Sequence, residues 1–203
     1  MDGGKIRMSD SKRYPHTVEI KDGTTTLDLM TPAAEAEVLA FANTLPAHDL
    51  LFLRRDITEP KVLSAWVQQL ETGEITSLLA RNEAGEVIGC TAVVRDEHSW
   101  SPHVGELRVL VAPAGKDRGL GRHLIQESFL IALGLGLEKL TAQMTPDQTG
   151  AINVFEEMGF TAEALLKEHV RDQSGEKHDI VILSHDVQGF QSQMQAYGIT
   201  DLY

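Results

Sequence analysis

The sequence predicts one mixed α/β domain. Three observations carry that reading: segments of period-two and helical apolar spacing follow one another, nothing repeats or falls into low complexity, and a glycine-rich basic run lies where a strand meets a helix. At 203 residues the chain can bury one substantial core, whereas two domains would each be small. Residues 24–187 are assigned to the domain, residues 1–23 to a loosely ordered leader and residues 188–203 to a tail. In the tail Phe190, Met194 and Tyr197 are spaced to dock as a short helix.

Residues 24–30 alternate weakly, as an edge strand does. Thr31 and Pro32 give the cap and first-turn signals of a helix reaching Asn43, and Pro46 ends it. Residues 48–57 are irregular, with Leu50, Leu51, Phe52 and Leu53 beside Arg54, Arg55 and Asp56; apolar side chains in such a loop either cover the core or line a pocket. Thr58 and Pro60 open a second helix through Leu70, and Gly73 closes it. Ile75–Arg81 and Val87–Val94 flank a short loop containing Gly85 and read as a β-hairpin, with a third strand at Val104–Val111. From Gly119 onward Leu120, Leu124, Ile131 and Leu135 recur at helical spacing, with Ile125 and Phe129 widening the stripe until Gly134 and Gly136 stop it. A strand over 137–144 follows. Thr145, Pro146 and Gln148 then have the form of a capping box, starting a helix that ends at Met158 and Gly159. Residues 160–170 and 178–186 close the chain as an antiparallel pair around a turn at 172–177.

Eighteen Lys and Arg against thirty Asp and Glu give a formal charge of −12. That balance disfavours nucleic acid, steers cations inward and makes any anion site depend on local basic residues. No apolar run approaches the ~18 residues of a membrane span, so no membrane partner is expected. The basic residues near the start have no apolar stretch behind them, which argues against a secretory signal. The single cysteine, Cys90, has no partner for an internal disulfide or a cysteine-based metal site, which suits a reducing, cytoplasmic compartment. His98, His103, His169, His178 and His185 show no recognised metal spacing, and no metal is expected.

Chemistry concentrates in residues 111–122, Val-Ala-Pro-Ala-Gly-Lys-Asp-Arg-Gly-Leu-Gly-Arg. Gly115, Gly119 and Gly121 let the backbone turn tightly and approach a ligand, and the first N–H groups of the following helix point outward with the positive end of its dipole. Lys116, Arg118 and Arg122 add charge, so the run forms an anion cradle. A P-loop would need Gly, four residues and then Gly-Lys-Ser/Thr, which is absent from the sequence. A Rossmann fingerprint would need a small residue where His123 and Leu124 stand. A glycine-rich turn with no ligand is the remaining structural reading.

The pattern Val-x-Pro-x-x-Lys-x-x-Gly-x-Gly resembles motif A of the GNAT superfamily of N-acetyltransferases, with Lys116 where Arg or Gln is usual. Downstream, Gln148, Ala151, Ile152, Phe155, Glu156 and Gly159-Phe160 resemble that family's second motif. The resemblance, spanning roughly residues 24–187, implies a mixed central sheet of about six to seven strands, splayed at the cofactor cleft and flanked by about four helices. It implies acetyl-CoA as co-substrate. Backbone groups of Val109, Leu110 and Val111 would hold pantetheine, and Lys116, Asp117, Arg118, Gly119, Leu120, Gly121 and Arg122 would bind the pyrophosphate. Gln148 has a competing role as capping residue.

The implied reaction is attack of a neutral primary amine, on a small molecule or a peptide, at the thioester carbonyl. A base is then needed, and Glu106 is the candidate: on a strand it shares a face with Arg108 and Leu110, while Leu107, Val109 and Val111 take the other. A strand bulge would shift that facing, and an exposed Glu106–Arg108 pair is the competing reading. Phe155 occupies the position of the family's tyrosine acid, so no hydroxyl is expected there; a thiol of pKa near ~8.5 leaves tolerably without one. The 48–57 loop is expected to shape the acceptor site through His48 and Phe52, with His103 or His98 nearby. Phe155 also supports a second reading, an acyl-CoA-binding regulatory or degenerate domain, and a third is an unrelated α/β nucleotide binder. Assembly as a homodimer is left open.

Overall fold

The computed structural model describes residues 13–189. Residues 1–12 and the tail residues Phe190, Met194 and Tyr197 lie outside the described residues. One sheet of eight strands runs through the domain: β1 (His16–Ile20), β2 (Gly23–Leu29), β3 (Ile75–Arg81), β4 (Val87–Val94), β5 (Val104–Val111), β6 (Lys139–Met144), β7 (Thr161–Arg171) and β8 (Lys177–Asp186). Their order is β1-β2-β3-β4-β5-β6-β8-β7, antiparallel throughout except where β5 meets β6. The helices are α1 (Glu35–Ala42), α2 (Pro60–Thr72), α3 (Leu120–Gly134) and α4 (Thr149–Glu157). None is long and apolar enough to cross a membrane.

Alternation along the strands sorts side chains onto the two faces of the sheet. Leu79, Cys90, Ala92 and Leu110 pack with Val38, Phe41, Leu63 and Trp66 of α1 and α2. Leu78, Val93 and Leu107 pack on the other face with Ile125, Phe129 and Phe155 of α3 and α4. Because both faces are covered, β3 and β4 are buried almost end to end, which is why they read as continuous apolar runs. Burial also pushes the Cys90 thiol up to about 12, leaving it a neutral core residue. Gly105 lets β5 lie close under the β6 side of the core: a Cβ there would stand 2.6 Å from Leu137 Cδ1.

Eight strands replace the six to seven expected, and the extra one comes from the supposed leader. β1 pairs antiparallel with β2 through a turn at Asp22 and Gly23, both at positive φ. Ahead of it, Arg13 Nη2 lies 2.9 Å from Glu127 Oε1 and the Tyr14 hydroxyl donates to Glu127 Oε2 at 2.7 Å, anchoring the segment to a buried carboxylate of α3. Three helix starts also shift, α4 beginning at Thr149 with Gln148 as its N-cap instead of at a Thr145 cap. A 3-10 turn, Pro32–Ala34, precedes α1, and Glu59 rather than Thr58 is the N-cap of α2, because Thr58 is drawn into a turn closed by Asp56 Oδ1. Gly73 takes the left-handed C-cap of α2 (φ 77°) as its sequence position predicts.

Candidate active site

β5 and β6 pair only over Val104–Lys139, Gly105–Leu140 and Glu106–Thr141. Beyond that last rung β5 runs on to Val111 and β6 to Met144 without meeting, so the two parallel strands part like a V. On its other edge β5 stays in unbroken register with β4 from Glu106 to Val111, so no bulge disturbs the alternation. The backbone of β5 from 107 to 111 therefore faces an open gap with its hydrogen-bonding groups turned to the missing partner.

A cavity of about 520 Å³ occupies this gap. Leu107, Val109, Leu110 and Val111 form one wall, Gln143, Met144, Gln148 and Phe155 the other, and Lys116, Asp117, Gly119, Leu120, Gly121 and Arg122 close one end. His48, Asp49 and Phe52 bring the loop before α2 over it. The end made by the glycine-rich turn has the build of an anion cradle. Asp117 and Gly119 are left-handed (φ 58° and 82°), which aims the turn's amides, and α3 begins there with its dipole. At Gly119 and Gly121 nothing lies within 4 Å of where a Cβ would stand, so any side chain there would fill the cradle itself. A diphosphate followed by an extended amide chain fits this combination, with the phosphates on the turn and the amides on β5.

The cations of the cradle have different partners. Lys116 Nζ lies 2.6 Å from Asp49 Oδ2, and Arg122 pairs with Glu157 of α4. Both line the cavity, so an incoming anion would draw them from those carboxylates. Arg118 lies outside the lining. Its guanidinium donates to the carbonyls of Lys21 and Asp22 at 2.8 Å each, and its own carbonyl accepts from Lys21 N at 3.0 Å, tying the β1–β2 turn to the cradle. Arg118→Ala is expected to lower stability by about 1.5–3 kcal/mol through loss of these charge-assisted bonds. A fall in Tm with acetyl-CoA affinity largely kept would confirm it; an unchanged Tm would refute it.

The expected capping box does not form: Gln148 Oε1 accepts from Thr145 N at 3.2 Å in the turn ahead of α4, but Gln148 itself stands at that helix's N-cap with no side-chain cap bond, and it lines the cavity. The Thr145 hydroxyl turns elsewhere, to His48. His48 Nε2 lies 3.2 Å from Thr145 Oγ1 and 2.7 Å from Asp147 Oδ2, and the Asp147 carboxyl is held below its ordinary value, first by Thr145 and then by His48. The His48 ring packs edge-on against His178 at 5.4 Å. The β7–β8 turn is thereby joined to the cleft. His178 Nε2 lies 3.0 Å from Asp172 Oδ2; the bond raises His178 above its ordinary 6.5, and His178 with Ser174 pulls Asp172 below its ordinary 3.8.

A carboxylate depressed on folding adds stability above its unfolded value, and an imidazole raised on folding adds stability below its own. The pair thus contributes fully between 3.8 and 6.5, and the contribution is lost as pH rises through the raised value of His178 or falls through the depressed value of Asp172. The Tm difference between this protein and His178→Asn is expected to be greatest in that window and to shrink at alkaline pH. A difference independent of pH would overturn the assignment.

Phe155 is buried against Phe160 (4.9 Å, edge-on) and lines the cavity where the second motif places it. Among the described residues the one tyrosine, Tyr14, is bound to Glu127 away from the cleft. Glu106 stands at the apex of the V. Its carboxylate accepts from Arg108 Nε at 2.8 Å and lies 3.7 Å from Arg54 Nη2, with its side chain only 13% exposed, so the pair with Arg108 exists but is largely shielded. Phe52 is buried in the α1–α2 core and also lines the cleft. His103 is brought to neither cavity; it is exposed ahead of β5, its carbonyl accepting from Glu138 N and Lys139 N.

The residues missed by sequence reading are Asp49, Thr145, Asp147 and Arg54. A second cavity of about 850 Å³ opens on the α2 side of the sheet, lined by Arg54, Arg108 and Trp66 among others, and Leu110 lines both cavities. The 48–57 loop straddles them, with His48, Asp49 and Phe52 on the cleft and Leu53, Arg54, Arg55 and Ile57 on the second cavity.

Strands splayed over a glycine-rich strand-to-helix turn define the GNAT fold. The chain belongs to the acetyltransferase (GNAT) family, whose family model matches residues 45–160, more than half of its length. A curated relative, YwnH of Bacillus subtilis (strain 168), provisionally named a phosphinothricin acetyltransferase, is 29% identical over 82 residues, covering 40% of this chain and 50% of YwnH. The match thus spans about half the length of that relative. In fold, the chain resembles a GNAT acetyltransferase from Streptococcus pneumoniae (TM-score 0.69, 20% identity, 80% of this chain and 99% of that one). It also resembles a spermidine N-acetyltransferase from Vibrio cholerae solved with CoA and spermine (TM-score 0.69, 16% identity, 82% and 98%).

Proposed function

We propose that the protein is an acetyl-CoA-dependent N-acetyltransferase acting on a primary amine. The observation that carries this reading is the parting of β5 from β6 after Glu106, over a cavity that ends on the glycine-rich turn. Acetyl-CoA supplies the acetyl thioester. The turn and the start of α3 hold its diphosphate, with Lys116 and Arg122 exchanging Asp49 and Glu157 for phosphate oxygens. Main-chain groups of Val109, Leu110 and Val111 complete their hydrogen bonds with the pantetheine arm, which amounts to adding a strand to β5.

Glu106, on the last rung before β5 and β6 part, takes the proton of the attacking amine. The new C–N bond forms as the C–S bond breaks, and the departing thiolate takes its proton from solvent, since Phe155 offers none. No metal is needed for such a transfer. The charge of −12 favours an amine over a nucleic-acid substrate. Cytoplasmic residence is part of the same reading, supported by the single buried Cys90, and so is a homodimer as an open assembly state.

CoA release measured across a panel of amines, with Glu106→Gln as control, tests the proposal. Turnover that collapses in the variant supports it. Phe155 favours a second reading, an acyl-CoA-binding domain without catalysis, and tight acetyl-CoA binding with no CoA release from any amine would establish that instead.

A further inference from the structure

We propose that the tail, residues 190–203, docks on the loop that carries Trp100, with Phe190, Met194 and Tyr197 covering its indole. This is a contact within the chain and is independent of the transferase reading. Among the described residues two large apolar side chains are exposed, Leu165 by 49% and Trp100 completely. Covering an indole removes ~150–250 Å² of surface from water, a gain that Trp100 leaves unrealised. The loop around it is tied down on both sides. Asp96 Oδ1 accepts from His98 N and Asp96 O from the Ser99 hydroxyl, each at 3.0 Å; Ser101 N donates to Ser99 Oγ at 3.0 Å and Val104 N to Ser101 O at 3.1 Å. The indole is presented in a fixed place, which lowers the ordering cost for whatever covers it.

The occupant follows from where the chain leaves the sheet. Val104 of β5, Lys139 of β6 and Asp186 of β8 form one rung at the end of the sheet. His103 O accepts from Glu138 N at 2.8 Å and Glu138 O from Val187 N at 2.9 Å, which extends the rung by one residue on each strand. Trp100 stands four residues before Val104, and Phe190 four after Asp186. β5 and β8 are two strand spacings apart, about 10 Å. Residues 187–197 would reach about 15 Å as a helix, and further if extended.

The start and composition of the tail suit that site. Val187 is buried in the core beside α3 and α4, and Asp186 Oδ1 accepts from Gln188 N at 3.0 Å and Gly189 N at 3.1 Å, as a helix cap does. Phe190, Met194 and Tyr197 continue from Val187 at helical spacing. Residues 188–200 contain no Asp, Glu, Lys or Arg, and neither do residues 98–104, so docking strips no such charge of its water. A tethered segment also meets Trp100 at an effective concentration in the millimolar range, which a second copy or a foreign protein does not match. Because Arg95, Asp96, Glu97 and His98 line the α2-side cavity, the docked tail braces its rim.

Tryptophan fluorescence of the full chain tests the contact, since its two tryptophans are Trp100 and the buried Trp66. Phe190→Ser combined with Met194→Ser is expected to shift the emission to longer wavelength and to raise the fraction quenched by acrylamide. In a Trp100→Phe background the same two changes are expected to alter neither. Trp100→Ala, on an exposed loop and so without cost to the core, should in turn speed amide exchange of residues 190–197 about tenfold, the loss of one aromatic contact. An indole as quenchable before the tail substitutions as after overturns the proposal, and so does exchange that Trp100→Ala leaves unmoved. A fluorescence change that persists in Trp100→Phe would place the tail elsewhere, and shielding that grows with protein concentration would make the occupant a second copy; either result also overturns it.

Discussion

Gly121→Glu is expected to abolish acetyl-CoA binding while leaving the ligand-free protein as stable as before, or slightly more so. Gly121 lies in the first turn of α3, its φ is not positive, and no atom stands within 4 Å of a Cβ built there. The backbone therefore accepts a side chain without strain, and replacing glycine inside a helix gains up to about 1 kcal/mol. The first turn of α3 holds no acidic residue, so a glutamate also meets the positive end of the dipole favourably, by about 0.3–1 kcal/mol. The same carboxylate projects into the cradle. At about 4 Å from a phosphate and an effective dielectric near 20 the repulsion is roughly 4 kcal/mol, about a thousandfold in affinity. Thermal denaturation with and without acetyl-CoA reads both halves. A ligand-induced shift equal to that of the unsubstituted protein would show that the diphosphate does not lie on this turn.

The second large effect is at Glu106. Glu106→Gln is expected to lower kcat by about 10²–10⁴, the usual contribution of a positioned base, with acetyl-CoA protection retained. The amide oxygen can still accept from Arg108, so the cleft keeps its shape while the proton acceptor is lost. Because a higher pH supplies more neutral amine, activity of the variant should recover part of the loss as pH approaches the acceptor's own pKa. If kcat instead stays within a few-fold, Glu106 serves only as counter-ion to Arg108 and Arg54, the pair seen at 2.8 and 3.7 Å.

Much of the fold was legible because its signals are local. The bounds of β3, β4 and β5 follow from apolar runs and from turn residues such as Gly85, and Gly73 marks the end of α2 by the one conformation glycine takes freely. β1 was missed because five residues, His-Thr-Val-Glu-Ile, on the edge of a sheet alternate too weakly to separate from a leader. What makes it a strand is distant, namely β2 alongside and Glu127 beneath.

By itself the sequence marked the glycine-rich strand-to-helix turn that closes one end of the cleft. A turn with closely spaced glycines at a helix start is a local object, and its amides and dipole exist wherever that strand and helix form. The tertiary structure alone decided what the side chains do there. Lys116 reaches an acid 67 positions away, Arg122 one 35 away, and Arg118 is drawn to carbonyls nearly 100 positions earlier and so serves the fold rather than the cradle. The pairing of Arg54 with Glu106 is likewise a product of the fold, since it forms only because the loop before α2 closes over β5. Backbone chemistry follows the order of residues, whereas the partner of a charged side chain is set by packing among segments that the chain brings together from far apart.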